Sequence, residues 1–167
     1  MILGIISIIG LFIGWIIANY TKEELEQGEK YFIILQFIVL VSLFFITLEQ
    51  NINILFLIIA IIMGVLIRNP FVYFGIALVP LSSFLSIMLI FIYGIAEGSI
   101  NYITKDIKKL IINVILFIIP FLLILFNIKL TPILNGGIIG VLIYQIYDQL
   151  IIKKKLSSDN LLKSSIK

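Results

Sequence analysis

Six long apolar runs, separated by short charged clusters, leave this chain few ways to fold. They cover residues 2–19, 31–48, 52–67, 71–95, 110–128 and 133–152, and each approaches the roughly 20 residues a helix needs to cross a hydrocarbon core. A soluble domain carries about 25% charge and alternates polar with apolar faces. Here 62% of the residues are hydrophobic and 13% are charged, and helices apolar all round require lipid as their solvent. The pattern predicts an all-α, polytopic integral membrane protein: a compact bundle of six transmembrane helices over 1–152, then a basic cytoplasmic tail at 153–167. In 167 residues the spans leave no room for a soluble domain.

What the chain lacks excludes much chemistry. Without cysteine it has no thiolate nucleophile, disulfide or soft-metal ligand, and without histidine it lacks the usual general base near neutral pH. No glycine-rich loop sits in a strand–turn–helix context that would cradle a phosphate. No catalytic, cofactor-binding or metal-ligating residue is assigned, and the protein is expected to be non-enzymatic. The net charge of +3 stems largely from Lys153, Lys154, Lys155, Lys163 and Lys167. Beside a span, Lys153–Lys155 read as a topology signal and an attraction to anionic lipid headgroups, not as a nucleic-acid surface.

The first run lacks the basic leader and the small-residue cleavage site of a signal peptide, so it reads as a retained helix with Trp15 and Tyr20 near an interface. Thr21 to Glu24 form a capping-box pattern, predicting a short solvated helix over 22–27 that Gly28 stops before the second span begins at Tyr31. The glutamates from Glu23 to Glu29 form an exposed row, whereas a hard-cation site needs convergent oxygens. Tight turns are expected at 49–51, 68–70 and 127–132. Asn69, held extended by Pro70, ends the third span, and Pro70 suits the first turn of the fourth. The longest loop runs from Ala96 to Lys109.

Six spans put both termini on one side. With both inside, eight lysines face the cytoplasm (three in the 96–109 loop and five in the tail) against Lys22, Lys30, Arg68 and Lys129 outside. The positive-inside bias therefore predicts a prokaryotic-type cell membrane protein with both termini cytoplasmic.

No ionisable residue is placed at mid-membrane. Glu49, Arg68, Glu97 and Lys129 fall at span ends, and Asp148, sharing a stripe with Tyr144 and Gln145, sits in the inner interfacial zone. Pro80 frees a backbone carbonyl beside the hydroxyls of Ser82, Ser83 and Ser86, and Pro120 interrupts the fifth span. Transporters build sites at such broken helices, which makes these five residues a candidate solute groove. Gly136 and Gly140 form a small-xxx-small face for helix association, a spacing that Gly10 and Gly14 repeat, and Gln36, Asn113, Asn135 and Asp148 are candidate polar packing groups. The expected function is that of a helix-packing subunit or scaffold of a membrane assembly, partnered by lipid and by other membrane subunits or further copies. The alternative is a small-solute transporter or channel with a mid-membrane site at Pro80–Ser86.

Overall fold

The computed structural model describes residues 2–21, 25–47, 54–77, 84–122 and 133–148. Among these residues the chain forms seven helices and no strand: α1 (Ile2–Tyr20), α2 (Leu25–Thr47), α3 (Ile54–Ile67), α4 (Pro70–Ala77), α5 (Phe84–Ile103), α6 (Ile107–Leu122) and α7 (Ile133–Asp148). Two helices are long and apolar enough to cross a membrane, over Gly28–Ile46 and Phe84–Ile103, and shorter apolar helices include Ile6–Tyr20, Leu57–Ile67 and Ile133–Asp148.

The helices turn large apolar side chains outward and small or polar ones inward. On α6, Ile111, Ile115, Ile118 and Ile119 are exposed, while Leu110, Asn113, Phe117 and Pro120 are buried. On α1, Ile9, Phe12 and Ile16 face out, and Ser7, Gly10, Gly14 and Ala18 face in. Phe71, Phe74 and Tyr93 close the core as an edge-to-face triad, with ring centroids 5.6, 5.8 and 4.9 Å apart.

Small residues bring three helix pairs together backbone to backbone. A Cβ on Gly10 would strike the main chain of Phe91, one on Gly14 that of Ile95, and one on Gly98 that of Leu11. These contacts advance together along the chain, so α1 and α5 are parallel. Ser99 Oγ then reaches the Gly14 carbonyl at 3.2 Å, and Tyr102 donates to Asn19 at 2.8 Å. In α7, Gly136 lies on Leu57 and Ala60 and Gly140 lies on Ile61 and Gly64, so α3 and α7 also run parallel. Gly75 of α4 abuts Phe117 and Pro120 of α6, and Asn69 donates to Asn113 at 2.7 Å, again in parallel register.

Three sequence expectations need correction. The run 71–95 is not one span. A continuous helix would hold Phe74 and Tyr93 roughly 28 Å apart, yet their rings lie at 4.9 Å, so the chain reverses between Ala77 and Phe84. The second correction concerns the loop expected over 96–109. Helix α5 continues to Ile103, and three residues connect it to α6. Lys105 adopts φ 57°, its amide bonds back to the Tyr102 carbonyl at 3.0 Å, and the Asp106 amide bonds to the Asn101 carbonyl at 2.9 Å. This is a Schellman stop with lysine in the usual glycine place. Asp106 at once starts α6, its carboxylate accepting the Lys109 amide at 2.9 Å. Third, Gly28 does not end a helix. Helix α2 begins at Leu25 and runs through it, and no described glycine has positive φ.

At the α3–α4 turn, Arg68 takes φ 56°, Asn69 Oδ1 caps the Phe71 amide at 2.9 Å and Pro70 occupies the first helical position, where a missing donor costs nothing. With the extra reversal, α1, α3, α5 and α7 run one way and α2, α4 and α6 the other. Ile2 and Asp148 consequently lie at opposite ends of the bundle, whereas an even number of spans would have put them together. The cations Lys30, Arg68, Lys105, Lys108 and Lys109, which are all the described lysines and arginines, gather at the end where α7 finishes. The turn at 49–51, the turn at 127–132 and the tail lie outside the described residues.

Candidate functional site

The extension of α5 carries Glu97 inside the bundle. Its side chain is 9% exposed, and a carboxylate so placed requires donors. Three converge on it. Gln36 Nε2 of α2 donates to Oε2 at 2.7 Å, Asn113 Nδ2 of α6 donates to Oε1 at 3.3 Å, and Lys109 Nζ pairs with Oε1 at 2.9 Å. Asn113 is itself fixed by Asn69, so the network spans four elements. Each donor arrives for a local reason. Gln36 lies on the inward face of α2, Asn113 on the inward face of α6, and Lys109 in the first turn that Asp106 caps.

Glu97 and these partners form part of the wall of a cavity of about 1010 Å³ at the cation-rich end. Ile33, Phe37, Ile100 and Ile146 give it apolar sides, Glu29 and Asp148 add carboxylates, and Lys30 and Arg68 add cations. The Arg68 guanidinium stands 4.7 Å from the Tyr144 ring centroid, a cation–π contact that fixes part of the rim. Gln145 donates to the Tyr93 hydroxyl at 3.3 Å, and both residues line the same space. One turn beyond Glu97, Asn101 is fully buried and neither atom of its amide meets a partner.

The residues singled out from the sequence divide between this site and the packing interfaces. Gln36 and Asn113 meet at Glu97, and Asp148 lines the cavity. Asn135 is buried on α7, away from the cavity lining, and Gly136 and Gly140 are taken up by α3. Of the candidate groove, Pro80, Ser82 and Ser83 lie outside the described residues. Ser86 is buried in α5, and Pro120 packs beside Gly75 in the last turn of α6. Sequence reasoning missed Glu97, Lys109 and Arg68 as one site. The signal was present in the helical pattern of Gly94, Glu97, Gly98 and Asn101, which continues past Ile95 until the Lys105–Asp106 stop. Among the described residues no cluster of carboxylates suits a metal ion.

No protein-family model matches this chain, nor does any curated protein or solved structure match it.

Proposed function

We propose that the chain is a multi-pass membrane protein that binds a small polar solute in the Glu97 cavity and carries it across the bilayer. The observation that carries this reading is a buried carboxylate, held by donors from two other helices, in the wall of a cavity large enough for a small molecule. Ionisable groups inside a membrane bundle are costly and mark solute or ion pathways. The reading moves the solute site from Pro80–Ser86 to the opposite end of α5. The expectation of a scaffold or packing subunit rests in part on glycine faces suited to association with a partner. Those faces are occupied within the chain, between α1 and α5 and between α3 and α7.

Seven helices that alternate in direction, with α4 and α5 opposed and two of them long and apolar enough to cross a membrane, support a definite orientation. The cavity end carries every described lysine and arginine: Lys30, Arg68, Lys105, Lys108 and Lys109. The positive-inside rule makes that end cytoplasmic. The cavity then opens inward, the amino terminus faces out, and Lys153–Lys155, following α7, meet anionic headgroups of the inner leaflet. The outward isoleucines and phenylalanines are the lipid-facing surface. In this arrangement Glu97 and Asn113 bind and orient the solute, while Ile33, Phe37 and Ile100 seat its apolar part.

The native chain has no cysteine, so labelling tests this directly. In inside-out vesicles, Ile100→Cys is expected to react with a membrane-impermeant maleimide, and Ile118→Cys, on the lipid face of α6, is expected to stay unreactive. Equal inertness at both positions would mean a dry interior and would remove the carrier reading.

A further inference from the structure

We infer that Lys109 is a built-in stand-in for the ligand, and that the cavity takes a small organic solute bearing a primary ammonium group, which displaces the Lys109 ammonium from Glu97. This deepens the carrier reading and rests on it.

The argument starts from unequal fixation around one carboxylate. Gln36 and Asn113 are 5% and 1% exposed, and Asn113 is held in turn by Asn69, so two of the three donors are part of the wall. Lys109 differs. Its side chain is 48% exposed and reaches Glu97, at 9%, on a flexible four-carbon stem from the edge of the bundle. Breaking that contact returns the half-exposed lysine ammonium to solvent, so the cost falls on Glu97 and not on the lysine. It leaves Glu97 as a negative group in the cavity wall with Oε2 still held by Gln36 and Oε1 short of its strongest donor. An ammonium with the same three donors restores that contact.

The sign of the ligand follows from which charges are fixed. Lys30 and Lys109 are exposed and reach the cavity on flexible stems, and the Arg68 charge is taken up by the Tyr144 ring at the rim, whereas Glu97 is held in the wall by Gln36 and Asn113. A cavity whose immobile charge is negative selects cations. The apolar walls at Ile33, Phe37 and Ile100 suit a short alkyl chain on the ammonium, and among the described residues no group of three or more carboxylates gathers to hold a bare metal ion.

The contact then acts as competition within the molecule. Where the lysine is engaged about nine-tenths of the time, apparent affinity for an external ammonium is lowered roughly tenfold, and removing the lysine restores it.

The test uses the full chain in lipid nanodiscs, with Ile100→Cys as reporter and n-butylammonium, n-butanol and butyrate as probes. The quantity read is the concentration of each probe that halves the maleimide labelling rate. In the Ile100→Cys background, n-butylammonium is expected to protect and the neutral and anionic probes are not. Adding Lys109→Gln is expected to lower the protecting concentration of n-butylammonium by roughly tenfold. Adding Glu97→Gln, close in shape, is expected to abolish protection while labelling persists. Protection by butyrate that Lys109→Gln removes would reverse the sign of the ligand. Labelling that no probe slows, or n-butylammonium protection weakened by Lys109→Gln, would overturn the inference while leaving a hydrated cavity. Absence of labelling in every background would overturn the carrier reading as well.

Discussion

Glu97 shows how much a single side chain depends on where its helix ends. Read as the first residue of a loop, it is an ordinary interfacial charge. Carried on an α5 that runs to Ile103, it is 9% exposed and needs Gln36, Asn113 and Lys109 around it. The stopping signal is unusual, since Lys105 holds φ 57° where glycine is the common choice. Glu97→Ala deletes the acceptor and strands two buried amide donors, each costing about 1–3 kcal/mol when unsatisfied. It is therefore expected to lower stability by about 2–6 kcal/mol in a detergent-unfolding titration. Gln36→Ala, which leaves Glu97 with two of its donors, is expected to cost less, nearer the roughly 0.6 kcal/mol typical of hydrogen bonds within membrane bundles. Equal losses would mean that Glu97 is not the hub of the network.

At the scale of the elements, the fold is a set of parallel helix pairs closed by glycine, each pair formed by helices distant in sequence. In the proposed bilayer setting lipid offers no hydrophobic drive between helices, so close backbone approach supplies the attraction. Gly98→Leu and Gly140→Leu place large side chains against the main chains of Leu11 and of Ile61. Each is expected to prevent its pair from docking, read as loss of the folded monomer peak in mild detergent, while Ile118→Leu on the exposed face of α6 has no effect. Normal folding of the glycine variants would remove these contacts from the account. Much of this level was legible in the sequence: the apolar elements, the Asn69–Pro70 start of α4, and the small-residue faces of α1 and α7. The partners of those faces were not, because parallel pairing joins residues some eighty positions apart with no local trace. Nor was the reversal between Ala77 and Phe84, since an unbroken apolar run of suitable length fits one span as well as two opposed helices. That miss propagated. With 71–95 taken as a single span, α5 seemed to end at Ile95, and Glu97 and Lys109 fell into a loop that does not exist.

For the molecule as a whole, one extra reversal changes the sidedness of everything after it. It sets Ile2 and Asp148 at opposite ends and collects Lys30, Arg68, Lys105, Lys108 and Lys109 at a single end, around the cavity. A six-span arrangement splits these five cations between the two faces, whereas the described helices bring all five to one end. The charge pattern and the cavity thus lie at the same end of the bundle, which the proposed orientation makes cytoplasmic. The most direct measurement is a pair of fusions in a bacterial host, each with a phosphatase active only outside the cytoplasm and a fluorescent protein active only inside. We expect phosphatase activity alone from the amino-terminal fusion and fluorescence alone from the fusion after Lys167. The same reporter active at both ends would contradict the reversal between α4 and α5, and with it the cytoplasmic cavity built on Glu97.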